Sequence, residues 1–452
     1  MIYQLKRFFV RSILFPFQEI LKGHSTVAIK NKLEKSQWWN KEQLDIDRLK
    51  RLKLFLQEAY QQVPYYQEIF DEQGFVPDEL TSIADLSKLP FLTKEVIRKN
   101  EKALVSKQAR NISPFTTGGS SGVPLTFMLG KERVSHDVAE KWRATRWWDV
   151  DLGDKEIVAW GSPIELGSQD KIKLLRDKLF RSKLIPAFDL TDEKILGFID
   201  EIKSYKPKML FGYPSVFALM AKVALKYDVD LTQLDIKVVF VTSERLYPYQ
   251  RDIIESTFNA PVANGYGSRD AGFIAHQCPA GGMHISAEDM IVEIVDTNGK
   301  VVPDGFKGEI VVTHMATSDF PFIRYKTGDI GALSINACSC GRSLPLLEQI
   351  EGRTTDFVIA EDGTMMHGLA LIYVLRELSG IEEFKIIQET QLLTNILIVP
   401  TDSMSQGLSN QIIEGIKARL GENVVVNLNV VTNIPAEKSG KFRYVISKMS
   451  DA

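Results

Sequence analysis

The segment TTGGSSGVP at residues 116–124 has the composition of a loop that binds phosphate groups. Its glycines leave the backbone free to curve, and its backbone N–H groups and hydroxyls are donors for phosphate oxygens. It is not the P-loop motif, which requires Lys and then Ser or Thr after its last glycine, because Val123 and Pro124 follow Gly122. Taken alone, the segment is more typical of a solvated turn, so its interpretation depends on the rest of the chain.

Four further short motifs follow this loop. They are NGYGSRD at residues 264–270, YKTGD at 325–329, GRTTD at 352–356 and KSGKFR at 438–443. Each one by itself fits an ordinary glycine-containing turn, a domain edge or a basic tail. The five motifs in this order are far more specific than any one of them.

The three cysteines of the chain form a second candidate site. Cys278, Cys338 and Cys340 lie in one region, and His284 follows the first of them by six residues. Three thiolates and one imidazole are the ligands of a closed structural Zn²⁺ site, which leaves no open position for catalysis. Two alternatives remain open, because His276 competes as the fourth ligand and three buried free thiols would need no metal.

The length and composition are those of an ordinary globular protein. With 452 residues, 44% of them hydrophobic and 25% charged, we expect two or three domains around a large core. The formal net charge of −3 and the lack of a basic patch exclude nucleic acid as an expected partner. Three cysteines exclude a disulfide scaffold and favour a cytoplasmic location.

Residues 1–23 combine basic and aromatic side chains. Their apolar stretch from Ser12 to Phe17 is too short for a signal peptide or a membrane span. We expect this segment to pack on the domain or to fray. Contact of a basic, aromatic amphipathic helix with a membrane surface is the less favoured alternative.

The elements that position these motifs follow from hydrophobic periodicity. Leu44 to Phe70 is predicted to be helical with a break at Pro64, and Lys131 to Trp148 is a further helix. Short apolar strands then alternate with amphipathic helices, which predicts a parallel α/β sheet. The predicted strands are Glu156–Trp160, Met209–Tyr213 and Val238–Thr242, and the helices are Asp192–Tyr205, Ser215–Tyr227 and Pro248–Phe258.

The pattern changes after Asn264. Met290–Val295 and Glu309–His314 alternate like antiparallel strands. From Asp356 onward, three strands and a helix are predicted to form a small α+β domain of about 95 residues. We therefore predict an extension at 1–43, a large domain at 44–352, a hinge at 353–357 and a small C-terminal domain at 358–452.

On these motifs the sequence resembles the adenylate-forming superfamily of acyl-CoA synthetases, adenylation domains and luciferases. The phenylacetate–CoA ligase family and its capsular polysaccharide biosynthesis relatives are the nearest in pattern, since VPYY at 63–66 and LPFLTK at 89–94 also match. The resemblance covers the chain from about Leu44 onward. It implies an acyl-CoA synthetase-like fold: a large domain with a parallel α/β sheet and an antiparallel subdomain, followed by a small α+β lid.

The implied reaction has two steps. A small carboxylic acid attacks the α-phosphate of ATP to give an acyl-adenylate and pyrophosphate, and CoA then displaces AMP. In an alternative, the acyl group passes to an amine, a hydroxyl or a carrier-protein thiol. A third hypothesis is a non-catalytic scaffold of the same fold, which departures from the family pattern at Arg269, Asp270 and Thr355 would favour.

The resemblance also assigns site residues. The phosphates of ATP would be held by Thr116, Thr117, Gly118, Ser120, Ser121 and Gly122. The adenine neighbourhood and central motif would comprise Ser243, Glu244, Asn264, Gly265, Tyr266 and Gly267, and the ribose would meet Asp329 and Arg353.

Two residues are implied in the chemistry itself. Asp270 stands where the family has a Glu that helps to hold Mg²⁺, and either carboxylate is a hard oxygen ligand. Lys441 matches the lysine that the lid brings to the α-phosphate and the carboxylate, where its compact ammonium stabilises charge that develops in the transition state. Aromatic residues Phe211, Tyr213 and Phe217 favour an aromatic or apolar acid if they line its pocket, and core packing explains them equally well.

Overall fold

The structure, a computed structural model, describes residues 2–116, 125–160, 171–187, 192–353, 357–363, 365–367, 369–376, 378–401, 407–434 and 444–449. The chain divides into two compact units, a large one formed mainly by residues 1–350 and a small one formed mainly by residues 351–452. Within the described residues, no helix is both long enough and apolar enough to cross a bilayer.

The large unit begins with helices. They are α1 (Ile2–Phe9), a π-helical turn (Val10–Leu14), α2 (Phe15–Lys22), α3 (Thr26–Ser36), α4 (Lys41–Gln62), α5 (Pro64–Gln73) and α6 (Lys94–Asn100). Asn40 and Gln43 form a reciprocal capping box that starts α4. Pro64 is the first residue of α5, where its missing N–H costs nothing, so the predicted helix break at this proline is confirmed.

A seven-stranded sheet forms the centre of the large unit. Its strands are β3 (Glu156–Trp160), β4 (Ser182–Pro186), β5 (Met209–Gly212), β6 (Val238–Thr242), β7 (Val262–Ser268), β8 (Gly272–Gln277) and β9 (Met283–Ile285), in the order β4-β3-β5-β6-β7-β8-β9. The pairs from β4 to β7 are parallel, which confirms the predicted parallel sheet. Every residue of β5 and β6 is buried, as expected for strands covered on both faces.

Helices connect these strands. They are α7 (Lys131–Arg146), α8 (Lys171–Phe180), α9 (Asp192–Tyr205), α10 (Pro214–Lys226) and α11 (Pro248–Phe258). A hairpin of β1 (Ser113–Thr116) and β2 (Thr126–Leu129) precedes α7. The predicted bounds of α9 and α11 are reproduced to the residue, and those of α7 and α10 to within two residues.

Antiparallel strands complete the large unit. A second sheet has the order β10 (Met290–Val295), β11 (Gly308–His314), β12 (Phe322–Leu333) and β13 (Leu347–Arg353). Met290 lies opposite His314 in the β10–β11 ladder, which confirms the predicted antiparallel pair. The apolar face of this sheet packs in one core with the buried side chains Leu52 and Leu56 of α4.

The small unit combines a mixed sheet with two helices. It contains β14 (Phe357–Ile359), β15 (Met365–His367), α12 (Leu369–Arg376), β16 (Ile381–Thr390), β17 (Leu393–Pro400), α13 (Leu408–Leu420), β18 (Val425–Val430) and β19 (Val445–Ser447). Four strands pair in the order β18-β17-β16-β19. Alternate residues of β16 and β17 are buried, and Ile412 and Ile416 of α13 are buried as well. This confirms the predicted α+β character of the C-terminal region.

Candidate functional site

The predicted adenine-binding residues meet at the carboxyl ends of two adjacent parallel strands. Ser243 and Glu244 directly follow β6, and Asn264 to Gly267 belong to β7. In the parallel ladder Thr242 lies beside Gly265, so the two motifs become neighbours. The crevice outside the carboxyl ends of parallel strands is where ligands bind in open α/β sheets.

Local geometry explains several of these residue types. Ser243 has a positive φ of 69°, and Oε2 of Glu244 accepts a hydrogen bond from the backbone N–H of Ser215 at 3.2 Å. Glu244 thereby satisfies a free donor in the first turn of α10. A Cβ added to Gly267 would lie 2.2 Å from the carbonyl oxygen of Gly272, so the close β7–β8 pair requires glycine there.

Asp270 lies in the turn between β7 and β8 and is only 4% exposed. Its Oδ2 accepts a 2.6 Å hydrogen bond from the hydroxyl of Tyr325 on β12. Its Oδ1 accepts hydrogen bonds from the hydroxyl of Ser268 and, at 3.1 Å, from the backbone N–H of Ala271. These three donors fix the orientation of the carboxylate.

A buried arginine holds the backbone of the same turn. The guanidinium of Arg133, which is 2% exposed, donates to the carbonyl oxygens of Asp270 at 3.2 Å and Arg269 at 3.3 Å. It also pairs with Asp137 at 3.0 Å, one turn further along α7. Sequence reasoning missed Arg133, since nothing in a helical pattern marks it. Tyr325 is the first residue of the YKTGD motif, and its place in that motif was the sequence feature that could have indicated a role in the site.

The described part of the glycine-rich loop is its base. Thr116 ends β1 and lies opposite Thr126 of β2, with their hydroxyl oxygens 3.4 Å apart. Thr117, Gly118, Ser120, Ser121 and Gly122 lie outside the described residues. The guanidinium of Arg269 lies 5.5 Å from the ring centre of Phe115, a cation–π contact that places the central motif beside the base of this loop.

The predicted ribose-binding strand is β12, which carries Asp329. The segment before α6 is bonded to this strand, since Leu92 donates to the carbonyl oxygen of Arg324 and accepts from the backbone N–H of Lys326, both at 3.0 Å. Arg324 is buried and makes two 3.0 Å hydrogen bonds to Glu293. The LPFLTK segment at residues 89–94 is therefore hydrogen-bonded to the strand that carries the predicted ribose-binding residue Asp329.

Arg353 is the last residue of β13. Its side chain lies outside what the structure describes, as do Lys441 and the hinge residues Thr355 and Asp356.

Aromatic side chains lie at the carboxyl ends of the neighbouring strands β3 and β5. The rings of Trp160 and Tyr213 stack with their centres 4.6 Å apart, and Phe211 stacks on Phe240 at 5.8 Å. Phe217 is fully buried in the core between the sheet and its helices, and Tyr213, at 2% exposure, belongs to the same core. Trp160 and Tyr213 lie at the carboxyl ends of β3 and β5, whereas Phe217 lies within α10.

The predicted metal ligands converge. The ligand atoms of Cys278, His284, Cys338 and Cys340 all lie within 4.8 Å of one another. The sulfurs of Cys278 and Cys338 are 3.6 Å apart, and Nε2 of His284 is 3.2 Å from the sulfur of Cys340. The chemistry of this donor set, three thiols and one imidazole, fits a structural zinc ion.

The surroundings of His284 suit a metal ligand. Its Nδ1 lies 3.4 Å from the carbonyl oxygen of Leu344, which leaves Nε2 towards the cysteines. Burial lowers the pKa of His284 to about 4, so the imidazole is neutral, as ligation requires. His276, the alternative fourth ligand, is outside the cluster, because its ring packs between Phe240 and Phe273 at 6.0 and 5.3 Å.

Two family profiles match the chain. The family described as "AMP-binding enzyme" matches residues 180–318, and the one described as "CapK C-terminal domain" matches residues 358–448. The chain is 25% identical over 396 residues to the protein CapK of Staphylococcus aureus, with 85% of each chain covered. It is 27% identical over 320 residues to phenylacetate-coenzyme A ligase of Aromatoleum evansii, with 69% of this chain and 70% of the ligase covered.

Solved structures share the fold. A 2-hydroxyisobutyryl-CoA ligase in the postadenylation state, in complex with R3-HIB-AMP, superposes with a TM-score of 0.73 at 21% identity and covers 92% of this chain and 94% of its own. The same ligase with 2-HIB-AMP and CoA in the thioesterification state gives a TM-score of 0.61 at 22% identity, with 91% of each chain covered. The predicted fold class is confirmed by this likeness.

Proposed function

Because the chain belongs to the adenylate-forming superfamily, as a relative of the phenylacetate–CoA ligases and of CapK, we propose that it activates a carboxylic acid with ATP. In the first half-reaction a carboxylate oxygen bonds to the α-phosphorus of ATP, the bond to pyrophosphate breaks, and an acyl-AMP forms. In the second, the sulfur of CoA bonds to the acyl carbon and AMP leaves. The protein is then an AMP-forming acid–thiol ligase.

The hydrogen bond between Tyr325 and Asp270 is the observation that carries this proposal. It joins the central motif to the start of the ribose motif, and the β6–β7 register brings the two adenine segments beside each other. Attack of an anion on a triphosphate needs alignment and charge neutralisation more than covalent chemistry by the protein. Motifs that converge on one edge of a rigid sheet supply that alignment.

We assign the nucleotide site to the residues that the motifs indicate. The phosphates would lie at the loop from Thr116 to Gly122, the adenine beside Ser243 and Tyr266, and the ribose at Asp329 and Arg353. Asp270 would hold Mg²⁺, which supplies positive charge to the phosphates. Lys441 would stabilise the charge that develops as the carboxylate attacks.

The stacked pair of Trp160 and Tyr213 supports an aromatic or apolar acid as substrate. Trp160 ends β3 and Tyr213 directly follows β5, and the carboxyl ends of both strands face the proposed nucleotide site. A flat aromatic acid would match the two parallel rings better than a charged sugar acid.

We also propose that Cys278, His284, Cys338 and Cys340 hold one structural Zn²⁺ ion. Such an ion would tie the β8–β9 hairpin to the segment 338–340, which carries no regular secondary structure. Four protein ligands leave it no part in the reaction. A thiolate centre of this kind requires reducing conditions, so we place the protein in the cytoplasm.

A second acceptor class is favoured by one observation. The small unit matches the CapK C-terminal domain over residues 358–448. Since the lid contributes to the second half-reaction, a CapK-type lid supports delivery of the acyl group to an amine, a hydroxyl or a carrier-protein thiol instead of CoA.

Pyrophosphate release tests the proposal. The wild type is incubated with ATP, Mg²⁺ and a panel of aryl, fatty and sugar-derived acids, with and without CoA. We expect release that depends on an aryl or apolar acid, and loss of CoA thiol in the same samples. Acid-dependent release without thiol loss would favour the second acceptor class. No release with any acid, together with no binding of ATP, would instead support the non-catalytic scaffold.

A further inference from the structure

The helical segment of residues 2–22 has its polar side towards the protein. The hydroxyl of Tyr3 donates to Asp154 at 2.7 Å, Arg7 pairs with the same carboxylate at 3.2 Å, and Arg11 pairs with Asp151 at 3.2 Å. Both aspartates are almost fully buried. A helix on a globular protein ordinarily buries its apolar face and exposes its charges, so the polarity of this helix is inverted.

Its outer face is a continuous apolar stripe. The stripe consists of large side chains that are each between 49% and 73% exposed: Leu5, Phe8, Phe9, Ile13, Phe17, Ile20 and Leu21. Their spacing, mostly three or four residues, places them along one side of the helix, over a length of about 24 Å.

The π-helical turn keeps the two sides in register. Val10 and Phe15 are five residues apart and are both buried, at 4% and 5% exposure. An α-helix would turn residues with this spacing well away from each other, whereas the wider π turn returns both to the docked side. The apolar stripe therefore continues from α1 into α2 without a break.

The charges around the stripe have one sign. Within residues 2–23, the exposed charged side chains are Lys6, Arg11 and Lys22, and the acidic Glu19 is buried against Thr26. Helix α8 is a neighbour of this segment, because its Phe180 contacts the buried Phe15 edge-on at 6.1 Å.

The face of α8 repeats the pattern of the stripe. Leu175 and Leu179 are 60% and 51% exposed, and Lys178 is exposed between them. Each of the two neighbouring helices thus exposes apolar side chains with basic ones beside them.

A basic pocket lies beside the stripe. A cavity of about 400 Å³ is lined by Arg11, Lys30 and Arg146 together with apolar side chains such as Phe15 and Val27. Arg11 and Arg146 both pair with Asp151, and Arg146 also pairs with Glu34. Among the described residues no carboxylate lies within ion-pair distance of Lys30, and burial together with the nearby Arg146 lowers its pKa. An anion in this cavity would give Lys30 a partner of opposite charge.

We propose that residues 2–22 dock on the surface of an anionic lipid bilayer, with the stripe in the interfacial region and a headgroup phosphate in the pocket at Lys30. Aromatic and aliphatic side chains bordered by lysine and arginine are the chemistry that such a surface recognises. A second copy of the chain fits less well, because a two-fold contact through this face would bring the same basic borders together.

Vesicle flotation with the full chain tests this proposal. We expect the wild type to bind vesicles of phosphatidylcholine with about 30% phosphatidylglycerol, and to bind pure phosphatidylcholine much less. Phe17→Glu with Ile20→Glu should weaken binding at least tenfold, and Lys30→Gln should reduce the preference for the anionic lipid.

The matched control is Ile46→Glu with Leu54→Glu, which adds the same charge at two exposed apolar positions of α4. It should bind vesicles like the wild type, and both double variants should keep acid-dependent pyrophosphate release. Wild-type chain that binds neither vesicle would overturn the proposal. So would a wild-type dimer, seen by sedimentation, that the stripe variant converts to monomer without any vesicle binding.

Discussion

The hydroxyl of Tyr325 donates a 2.6 Å hydrogen bond to Oδ2 of Asp270, and so joins two motifs that are 55 residues apart in the chain. Arg133 fixes the other side of the same turn through two carbonyl oxygens. The carboxylate proposed to hold Mg²⁺ is thus oriented by Tyr325 as well as by Ser268 of its own motif, and Arg133 holds the backbone of its turn. Such supporting contacts commonly decide how well a metal ligand works.

Replacing Tyr325 by Phe should therefore impair Mg²⁺-dependent adenylation. We expect about a ten- to hundredfold fall in pyrophosphate release and a higher Mg²⁺ concentration for half-maximal rate. The control is Tyr66→Phe, since the Tyr66 hydroxyl is also buried and donates to the carbonyl oxygen of Pro321 at 3.1 Å. Both variants should lose similar stability, about 1–2 kcal/mol. An equal Mg²⁺ response in the two variants would mean that Tyr325 has only a structural role.

Lys441→Ala should slow adenylate formation by orders of magnitude while ATP still binds. The ammonium is proposed to stabilise charge present only in the transition state, so ground-state binding should change little. Supplied acyl-AMP should still react with the acceptor. Lys438→Ala, three residues away in the same motif, is the matched control and should remain active. A defect confined to the second half-reaction would contradict this role for Lys441.

Cys338→Ser with Cys340→Ser should remove about one zinc per chain and lower the melting temperature. Two of four ligands are lost, and the binding energy of a structural zinc ion contributes directly to folding. Metal analysis by mass spectrometry and a thermal scan measure the two effects. Ser339→Ala, at the exposed position between the two cysteines, should change neither. Wild-type protein purified without chelators and found free of zinc would rule the site out.

Glu293→Ala should destabilise the large unit by about 3–5 kcal/mol, because it leaves the buried Arg324 guanidinium without its carboxylate partner. Urea denaturation measures the loss. Asp47→Ala, which breaks the exposed 3.4 Å pair with Lys32, should cost less than about 1 kcal/mol. If the two variants lost the same free energy of unfolding, the buried Arg324–Glu293 pair would stabilise the protein no more than a surface pair does.

Acid should destabilise the protein through its buried histidines. Burial lowers the pKa of His276 to about 3, well below its value near 6.5 in the unfolded chain. The unfolded state therefore takes up the proton first, and the stability supplied by the neutral ring is lost as pH falls from about 6.5 towards 3. At pH 5 this amounts to about 2 kcal/mol for one histidine.

His276→Leu should accordingly show a smaller drop in melting temperature between pH 7 and pH 5 than the wild type. Zinc is kept in excess throughout, so that release of the metal does not contribute. Identical drops in the two proteins would mean that His276 takes up its proton without unfolding.

Much of the fold was predictable from local sequence. Glu156–Trp160 and Val238–Thr242 were predicted to the residue, because a strand buried on both faces appears as a short run of apolar side chains. The break between α4 and α5 followed from Pro64 alone. The strand β4 was not predicted, since Ser182 and Lys183 interrupt its apolar pattern.

The sequence by itself determined the order of the motifs, the alternation of strands and helices and the resemblance to the superfamily, because these depend on residue types and their spacing. Only the tertiary structure showed that Tyr325 meets Asp270 and that Arg133 supports the same turn. The tertiary structure also decided which histidine lies with the cysteines. His276 and His284 are opposite each other in the β8–β9 ladder, and only His284 belongs to the cysteine cluster. Spacing along the chain could not distinguish the two. The inverted polarity of residues 2–22 was equally hidden, since periodicity shows that a helix has two faces and only the docked neighbours show which face is buried.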